Sequence, residues 1–319
     1  MILGVTVVRN EADIIETMVR QNLHYLDHLV VIDNDSLDET PQIVSRLQTE
    51  GLACELRVDH RRNHVQHIIL TEFLNSCESE FNVERVILLD ADEFIKSDRA
   101  SFKDEMLKST DVIDLPWTTY VPTPFDNPNA LSVLSRITHR RSVEDPQYFK
   151  TTIPKQYLKS AKLGAGSHGF KSNGRRVKGI ASSTTQLAHF PVRTPEQILG
   201  KVLLGSWSVR TREHTSSEAY HWTYLAKQFS ASPKISEEQL SEIARKYASK
   251  STPELIHDPL EVHIDETRVA DIDAKAVLLE DIIRFTEELV IRFEQKPSLR
   301  KKVGDWVRSN VLRKPFRRG

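Results

Sequence analysis

Residues 2–8, 29–32 and 85–89 are short runs dominated by Val, Ile and Leu, and 53–58 is a similar run with charges interspersed. Runs of this length, bounded by polar residues, predict buried strands of a parallel sheet. Between them the apolar positions change period. Ile14, Ile15, Met18, Val19 and Leu23 recur at helical spacing to about Leu26, and Ile43, Val44 and Leu47 do so before Gly51. Val65, Ile68, Ile69 and Phe73 repeat the pattern across 64–77. Asn10 stands where a helix N-cap is expected, with Asp13 at the third helical position, and Thr40-Pro41 supplies an N-cap with a first-turn proline. Alternating strands and helices of these lengths imply a Rossmann-like, mostly parallel sheet with helices on both faces and right-handed crossovers. In such sheets ligands bind outside the carboxyl ends of the strands, where Asn10, Asp33 and residues 90–93 fall.

Beyond Lys96 the pattern breaks into β-like pieces at 111–121, 131–138, 147–153, 158–163 and 185–190, separated by Pro, Gly and Asn clusters. This predicts a mixed or antiparallel second half. Helices return at 195–204, 237–249 and 274–294. No internal repeat or low-complexity linker divides the chain, so the halves read as one fused globule.

Composition narrows the class. The 319 residues are 39% hydrophobic and 28% charged, enough for a sizeable core. No apolar run reaches the length of a membrane span. The opening residues lack a basic leader and a small-residue cleavage site, which favours a first strand over a signal peptide. Cys54 and Cys77 are too few and too far apart for a zinc site or a disulfide framework, so a reducing, cytoplasmic setting is expected. The net charge of −1 gives no reason to expect a nucleic-acid partner. Charge is uneven, however: residues 296–319 carry nine Lys or Arg against one acid, Asp305, interleaved with Trp306, Val307 and Val311. Such a tail suits peripheral contact with anionic lipid at the inner face of a membrane, or a plain solvated terminus.

The sharpest chemical signal is Val86-Ile87-Leu88-Leu89-Asp90-Ala91-Asp92-Glu93-Phe94, a buried strand ending in three carboxylates. Residues i and i+2 on a strand point to one side, so Asp90 and Asp92 can approach one ion. A hard divalent cation held by few carboxylates keeps positions free for phosphates. The second signal is Asp33-Asn34-Asp35-Ser36-Leu37-Asp38-Glu39-Thr40, in which Asp33 at the sheet edge can accept from a base N–H or a ribose hydroxyl, beside a polar helix cap.

Taken with Val7-Val8-Arg9-Asn10-Glu11 and the histidine of Leu23-His24-Tyr25-Leu26, these motifs resemble, in order and content, the family 2-like glycosyltransferases of GT-A fold. The resemblance covers about the first hundred residues well. It implies a GT-A-type α/β fold: a nucleotide-sugar-binding half (1–100), an acceptor-binding and catalytic half fused to it (101–230), and a C-terminal helical region with the basic tail (231–319). It further implies a nucleotide-diphosphate sugar donor, a carbohydrate or lipid-linked acceptor, a Mg²⁺ or Mn²⁺ cofactor, and inversion by direct displacement. The donor would lie along Val8, Asn10, Glu11, Asp33, Arg62, Asp90 and Ala91. Asp92 would hold the metal, with Asp90, Glu93 and His189 as further ligands. Where many relatives carry two consecutive aspartates, Asn34 is the second residue here, as in the subgroup the chain most resembles.

That subgroup also shows a Gly-x-His loop and a later His-x-x-x-Arg-Ser/Thr element. These correspond to His168 in Gly164-Ala165-Gly166-Ser167-His168-Gly169 and to His189 with Arg193, and imply that one of the two histidines completes the metal shell or touches the diphosphate, with His168 the donor-contact candidate and His189 the metal-ligand candidate. Arg193 and Lys201 are candidates for phosphate charge, and Arg193 is preferred for its planar fork. Trp117 and Tyr120 are candidates for an acceptor wall or for the core. Arg61, Arg62 and Asn63 are contacts to donor phosphate or solvated residues. No counterpart of the family's acidic pair on a later helix is evident, so the base is open among Asp126, Glu144 and Asp145. Two other readings stay open: a nucleotidyltransferase making a nucleotide sugar, and a non-catalytic carbohydrate-binding protein of the same fold. The first usually needs a glycine-rich basic loop after the first strand, which Arg9-Asn10-Glu11 is not.

Overall fold

The computed structural model describes residues 1–61, 66–210 and 235–265. The strands are β1 (Ile2–Val8), β2 (His28–Asp33), β3 (Cys54–Val58), β4 (Arg85–Leu89), β5 (Glu93–Lys96), β6 (Ile113–Thr119), β7 (His139–Arg141), β8 (Phe149–Pro154), β9 (Ala161–Leu163), β10 (Phe170–Ser172), β11 (Arg175–Arg176), β12 (Ile180–Ala181), β13 (Gln186–His189) and β14 (Leu255–His257). The helices are α1 (Ile15–Asn22), α2 (Thr40–Thr49), α3 (Gln66–Cys77), α4 (Arg99–Lys108), α5 (Val133–Arg136), α6 (Pro195–Arg210) and α7 (Glu237–Lys246).

The main sheet runs β3-β2-β1-β4-β8-β6-β13-β5, with β12 beside β6. β3, β2, β1 and β4 are parallel, as their continuous apolar runs require. The two-residue period of a strand sorts its side chains between two cores. On β2 and β4, Leu29, Val31, Ile87 and Leu89 pack with Ile15, Met18, Val19, Ile43, Val44 and Leu47 of α1 and α2. The alternate residues Val30, Ile32, Val86 and Leu88 pack with Ile69, Leu70, Phe73 and Leu74 of α3. Gly4 is explained by close approach, since a Cβ there would stand 2.5 Å from Leu26 Cδ1.

β8 runs antiparallel to both β4 and β6, β13 is parallel to β6, and β5 closes the far edge antiparallel to β13. Consecutive strands β4 and β5 thus lie four positions apart in one curled, mostly parallel sheet. Asn22 of α1 spans that curl, donating to Glu93 O (3.0 Å) and accepting from Ile95 N–H (2.8 Å). A third core joins α6 and α7 through Val121, Val192, Ile198, Val202, Leu240 and Ala244.

Several local expectations are corrected. Asn10 is not an N-cap: its φ is 57° and α1 starts at Ile15. Glu39, not Thr40, is the N-cap of α2, and Asp38 accepts the Thr40 N–H (3.0 Å). Residues 133–136, read as β-like, form helix α5 behind a Ser132 capping box. Helix α4 was hidden because it buries only Phe102 and Met106, too sparse a stripe to show a period. The expected helix at 274–294, the basic tail and Arg62 with Asn63 lie outside the described residues. Among the described residues no helix is long and apolar enough to cross a membrane.

Candidate active site

At the carboxyl ends of β1 and β2 two turns are laced together. The N–H of Asn10 donates to Ser36 Oγ (2.9 Å) while its side-chain oxygen accepts Leu37 N–H (2.8 Å). Asp38 accepts Ala12 N–H (2.9 Å), and Thr40 Oγ1 accepts Glu11 N–H (3.0 Å). Val8, buried, receives Asn34 N–H on its carbonyl. Asn34 donates its amide to Asp59 O (2.8 Å) and Arg61 O (2.6 Å), fixing the turn after β3. Asp33 is 3% exposed. Its Oδ2 accepts Ser36 N–H (3.0 Å), but Oδ1 is buried without a hydrogen-bond partner among the described residues. A buried carboxylate oxygen left this way is an acceptor awaiting a donor. Arg61 is engaged with Asp59 and Glu72 (2.7 Å), not with the sheet edge.

The acidic run after β4 separates into distinct pairs. β4 ends at Leu89, so the strand pleat does not extend to Asp90 and Asp92, and the two carboxylates take different partners. Asp90 accepts Gln66 Nε2 (2.8 Å) and Lys150 Nζ (2.7 Å). Burial opposes its charge, but Lys150 and Gln66 hold its pKa below the usual carboxylate range. Glu93 is fully buried, accepts Asp90 N–H (2.8 Å), and is pushed well above the usual range by burial. Both oxygens of Asp90 are therefore committed, and among the described residues Asp90, Asp92 and Glu93 do not form a three-carboxylate metal cluster. Ala91 between them is buried.

Asp92, 3% exposed, accepts Lys201 Nζ (2.8 Å) on Oδ2, while Arg193 Nη1 stands 3.8 Å from the same oxygen. Its Oδ1 faces His189 Nε2 at 3.6 Å. Burial works against its charge, and Lys201, His189 and Arg193 more than offset that, holding its pKa far below the usual range. Sheet register places the histidine: His189 pairs with Glu93 of β5 and Thr119 of β6, and Phe190 N–H donates to Asp92 O (2.8 Å). Burial pushes the His189 pKa down to about 4, leaving a neutral imidazole. Its Nδ1 has no hydrogen-bond partner among the described residues.

Arg193 is the keystone beneath this edge. Its Nε and Nη2 donate to Asp13 (2.7 and 2.8 Å), Nη2 also reaches Glu11 (2.8 Å), and Nη1 donates to Phe190 O (3.2 Å). At 1% exposure it ties the β1–α1 turn to the segment after β13 and presents no free face to a ligand. Lys201, one-quarter exposed, is the cation nearer a phosphate's reach. Glu11 is pushed up to about 7 by burial, against the attraction of Arg193 and Lys201.

A ring cluster borders Asp92. Trp117 lies on His189 with centroids 4.3 Å apart, and Tyr148 and His168 meet Trp117 at 5.5 and 5.2 Å. His168 Nδ1 is paired with Phe149 O (2.8 Å). Lys150 Nζ reaches Gly166 O (3.3 Å), which joins the glycine loop to Asp90. Tyr120 belongs elsewhere: fully buried, it stacks on Phe190 and donates to Asp258 O (2.8 Å), so it is core and not wall. Glu144 is committed to Thr119 N–H (2.6 Å) and Arg141 (2.9 Å). Asp145 contributes its carbonyl to Lys250 N–H. Asp126 accepts Thr123 Oγ1 (2.7 Å) on one oxygen, and its buried Oδ2 has no hydrogen-bond partner among the described residues.

Sequence reasoning missed Lys150, Gln66 and the ligation of Arg193 by Asp13. Lys150 had a signal, a lone lysine inside the strand-like Phe149-Lys150-Thr151-Thr152-Ile153, which demands a buried carboxylate partner. Gln66 had none.

Among the described residues no three His, Cys, Asp or Glu side chains cluster closely enough to hold a metal ion by themselves. The facing oxygen of Asp92 and neutral nitrogen of His189 do fit a cation that takes two protein donors and completes its shell from a diphosphate and water.

No curated protein matches the chain. Among solved structures it is similar to S. aureus TarS residues 1–349, with 16% identity over 72% of each chain and a TM-score of 0.36. It is also similar to that protein in complex with UDP, with 14% identity over 75% of this chain and 77% of that one and a TM-score of 0.31. Glucosyl-3-phosphoglycerate synthase from Mycobacterium tuberculosis, in complex with Mn²⁺, UDP-glucose and phosphoglyceric acid, follows with 15% identity over 37% of this chain and 43% of that one, TM-score 0.26. Superpositions this loose transfer no residue's role. Residues 5–153 match the model of glycosyl transferase family 2, and the segment carries the Asp33, Asp90 and Asp92 edge just described. The likeness to glycosyl transferase family 2 is thus carried by residues 5–153, the half of the chain that holds β1 to β4 and the acidic run after them.

Proposed function

We propose that the protein transfers a sugar from a nucleoside diphosphate sugar to a hydroxyl of a carbohydrate or lipid-linked acceptor. The observation that carries this reading is Asp92, buried at the carboxyl end of β4 with one oxygen on Lys201 and the other turned to a neutral His189. The nucleoside would lie over β1 and β2, where Asp33 Oδ1 accepts a base N–H or ribose hydroxyl. Lys201 meets the diphosphate as a flexible point charge, and Lys150 keeps Asp90 and the glycine loop in register for the donor. Asp92 and His189 would hold Mg²⁺ or Mn²⁺, which would neutralise charge on the leaving diphosphate.

The acceptor ring would pack on Trp117, Tyr148 and His168, whose faces suit the apolar face of a sugar. Asp126 is the favoured base because one of its oxygens is unengaged, whereas Glu144 is committed to Arg141. Attack by the deprotonated hydroxyl in a single displacement inverts the anomeric carbon. The test is nucleoside diphosphate release from a panel of nucleotide sugars, with Mn²⁺ and with chelator. Mn²⁺-dependent release from at least one donor is expected, and release of pyrophosphate from nucleoside triphosphates instead would overturn the reading.

A further inference from the structure

Two cations neutralise Asp92, and they are not equivalent. Arg193 is fixed: its donors are taken by Asp13, Glu11 and Phe190 O, and it approaches Asp92 only to 3.8 Å. Lys201 is the opposite case. It projects from the second turn of α6, is one-quarter exposed, and makes a hydrogen bond of 2.8 Å to Asp92 Oδ2. Its flexible stem lets the ammonium leave without disturbing the helix. The groups around it are Asp92, Tyr247 and Glu11, with Arg193 as the repelling neighbour.

A dication on Asp92 and an ammonium on the same carboxylate repel each other strongly in a buried site. A nucleoside diphosphate removes the conflict, because its phosphates offer the ammonium a new partner and add ligands for the ion. We propose that Lys201 occupies Asp92 as a built-in counter-ion until the donor arrives, so that the divalent metal binds with the donor diphosphate and poorly without it. This rests on the reading above, in which Asp92 and His189 take a metal. It assigns Lys201 a positioning role: an exchange of partners that couples the two ligands.

The experiment measures Mn²⁺ binding directly, by the electron paramagnetic resonance signal of the free ion, for the wild type, Lys201→Met and Lys201→Arg. Each is titrated alone and then with UDP or GDP, after thermal melting has confirmed folding. Wild type should bind Mn²⁺ weakly alone and at least tenfold more tightly with whichever diphosphate it accepts. Lys201→Met should bind Mn²⁺ at least tenfold more tightly than wild type without nucleotide and gain little from the diphosphate, whereas Lys201→Arg should stay close to wild type. Equal nucleotide-free Mn²⁺ affinity in wild type and Lys201→Met, with uptake still promoted by diphosphate, overturns the exchange and leaves the metal site standing. No Mn²⁺ uptake by any of the three proteins with either diphosphate overturns both.

Discussion

Glu11 offers a quantitative test of how tightly this edge is packed. Its side chain is 18% exposed and accepts Arg193 Nη2 at 2.8 Å, yet burial pushes its pKa from 4.5 up to about 7. A carboxyl whose pKa is raised on folding binds its proton more tightly in the native state. Its contribution to stability is therefore complete below the unfolded value of 4.5 and is lost as pH rises through about 7. The linkage relation with these two values gives a loss of about 2–3 kcal/mol between pH 5 and pH 8. Glu11→Gln removes the titration while keeping an oxygen for Arg193. Urea denaturation followed by intrinsic fluorescence at several pH values should show the variant gaining on the wild type by about 2 kcal/mol across that interval. A difference between the two proteins that stays flat within about 0.5 kcal/mol from pH 5 to pH 8 refutes the reasoning.

Arg193→Met strips Asp13 and Glu11 of their guanidinium partner and leaves Lys201 as the remaining cation beside Asp92, and should destabilise the fold by about 3–5 kcal/mol in thermal or urea melts. A loss under about 1 kcal/mol would deny the residue its keystone role. Asp33→Asn exchanges the carboxylate for an amide at the proposed nucleoside contact. It should weaken nucleoside diphosphate binding by calorimetry about 10- to 100-fold, the worth of a charge-assisted hydrogen bond, with the melting temperature little changed. Unaltered affinity would move the nucleoside elsewhere. Asp126→Asn should retain donor binding and lose transfer by about 100-fold or more, and full transfer by the variant would pass the base role to another group.

The parallel half of the fold was legible because its signals are local. Ile2–Val8, His28–Asp33 and Arg85–Leu89 are continuous apolar runs, and the helices between them keep a clear period. The second half was less legible because its order depends on long-range pairing. Nothing near Glu93 announces that β5 crosses to the far edge beside β13, although that crossing is what sets His189 against Asp92. The acidic run and Asp33 could be read from their positions at strand ends. Their cations could not, since Lys150 lies 60 residues from Asp90 and Lys201 lies 109 from Asp92. Arg193 shows the same limit in reverse: side-chain chemistry suggested a phosphate fork, and packing gave the fork to Asp13 and Glu11.

Asp92 is where the account is most exposed. The decisive measurement is turnover of the preferred nucleotide sugar by Asp92→Asn, alongside its melting temperature and donor affinity. A folded variant whose turnover falls about 100-fold or more, and which no longer responds to Mn²⁺, is the predicted result. Undiminished, Mn²⁺-responsive turnover in that variant would contradict the assignment of the site.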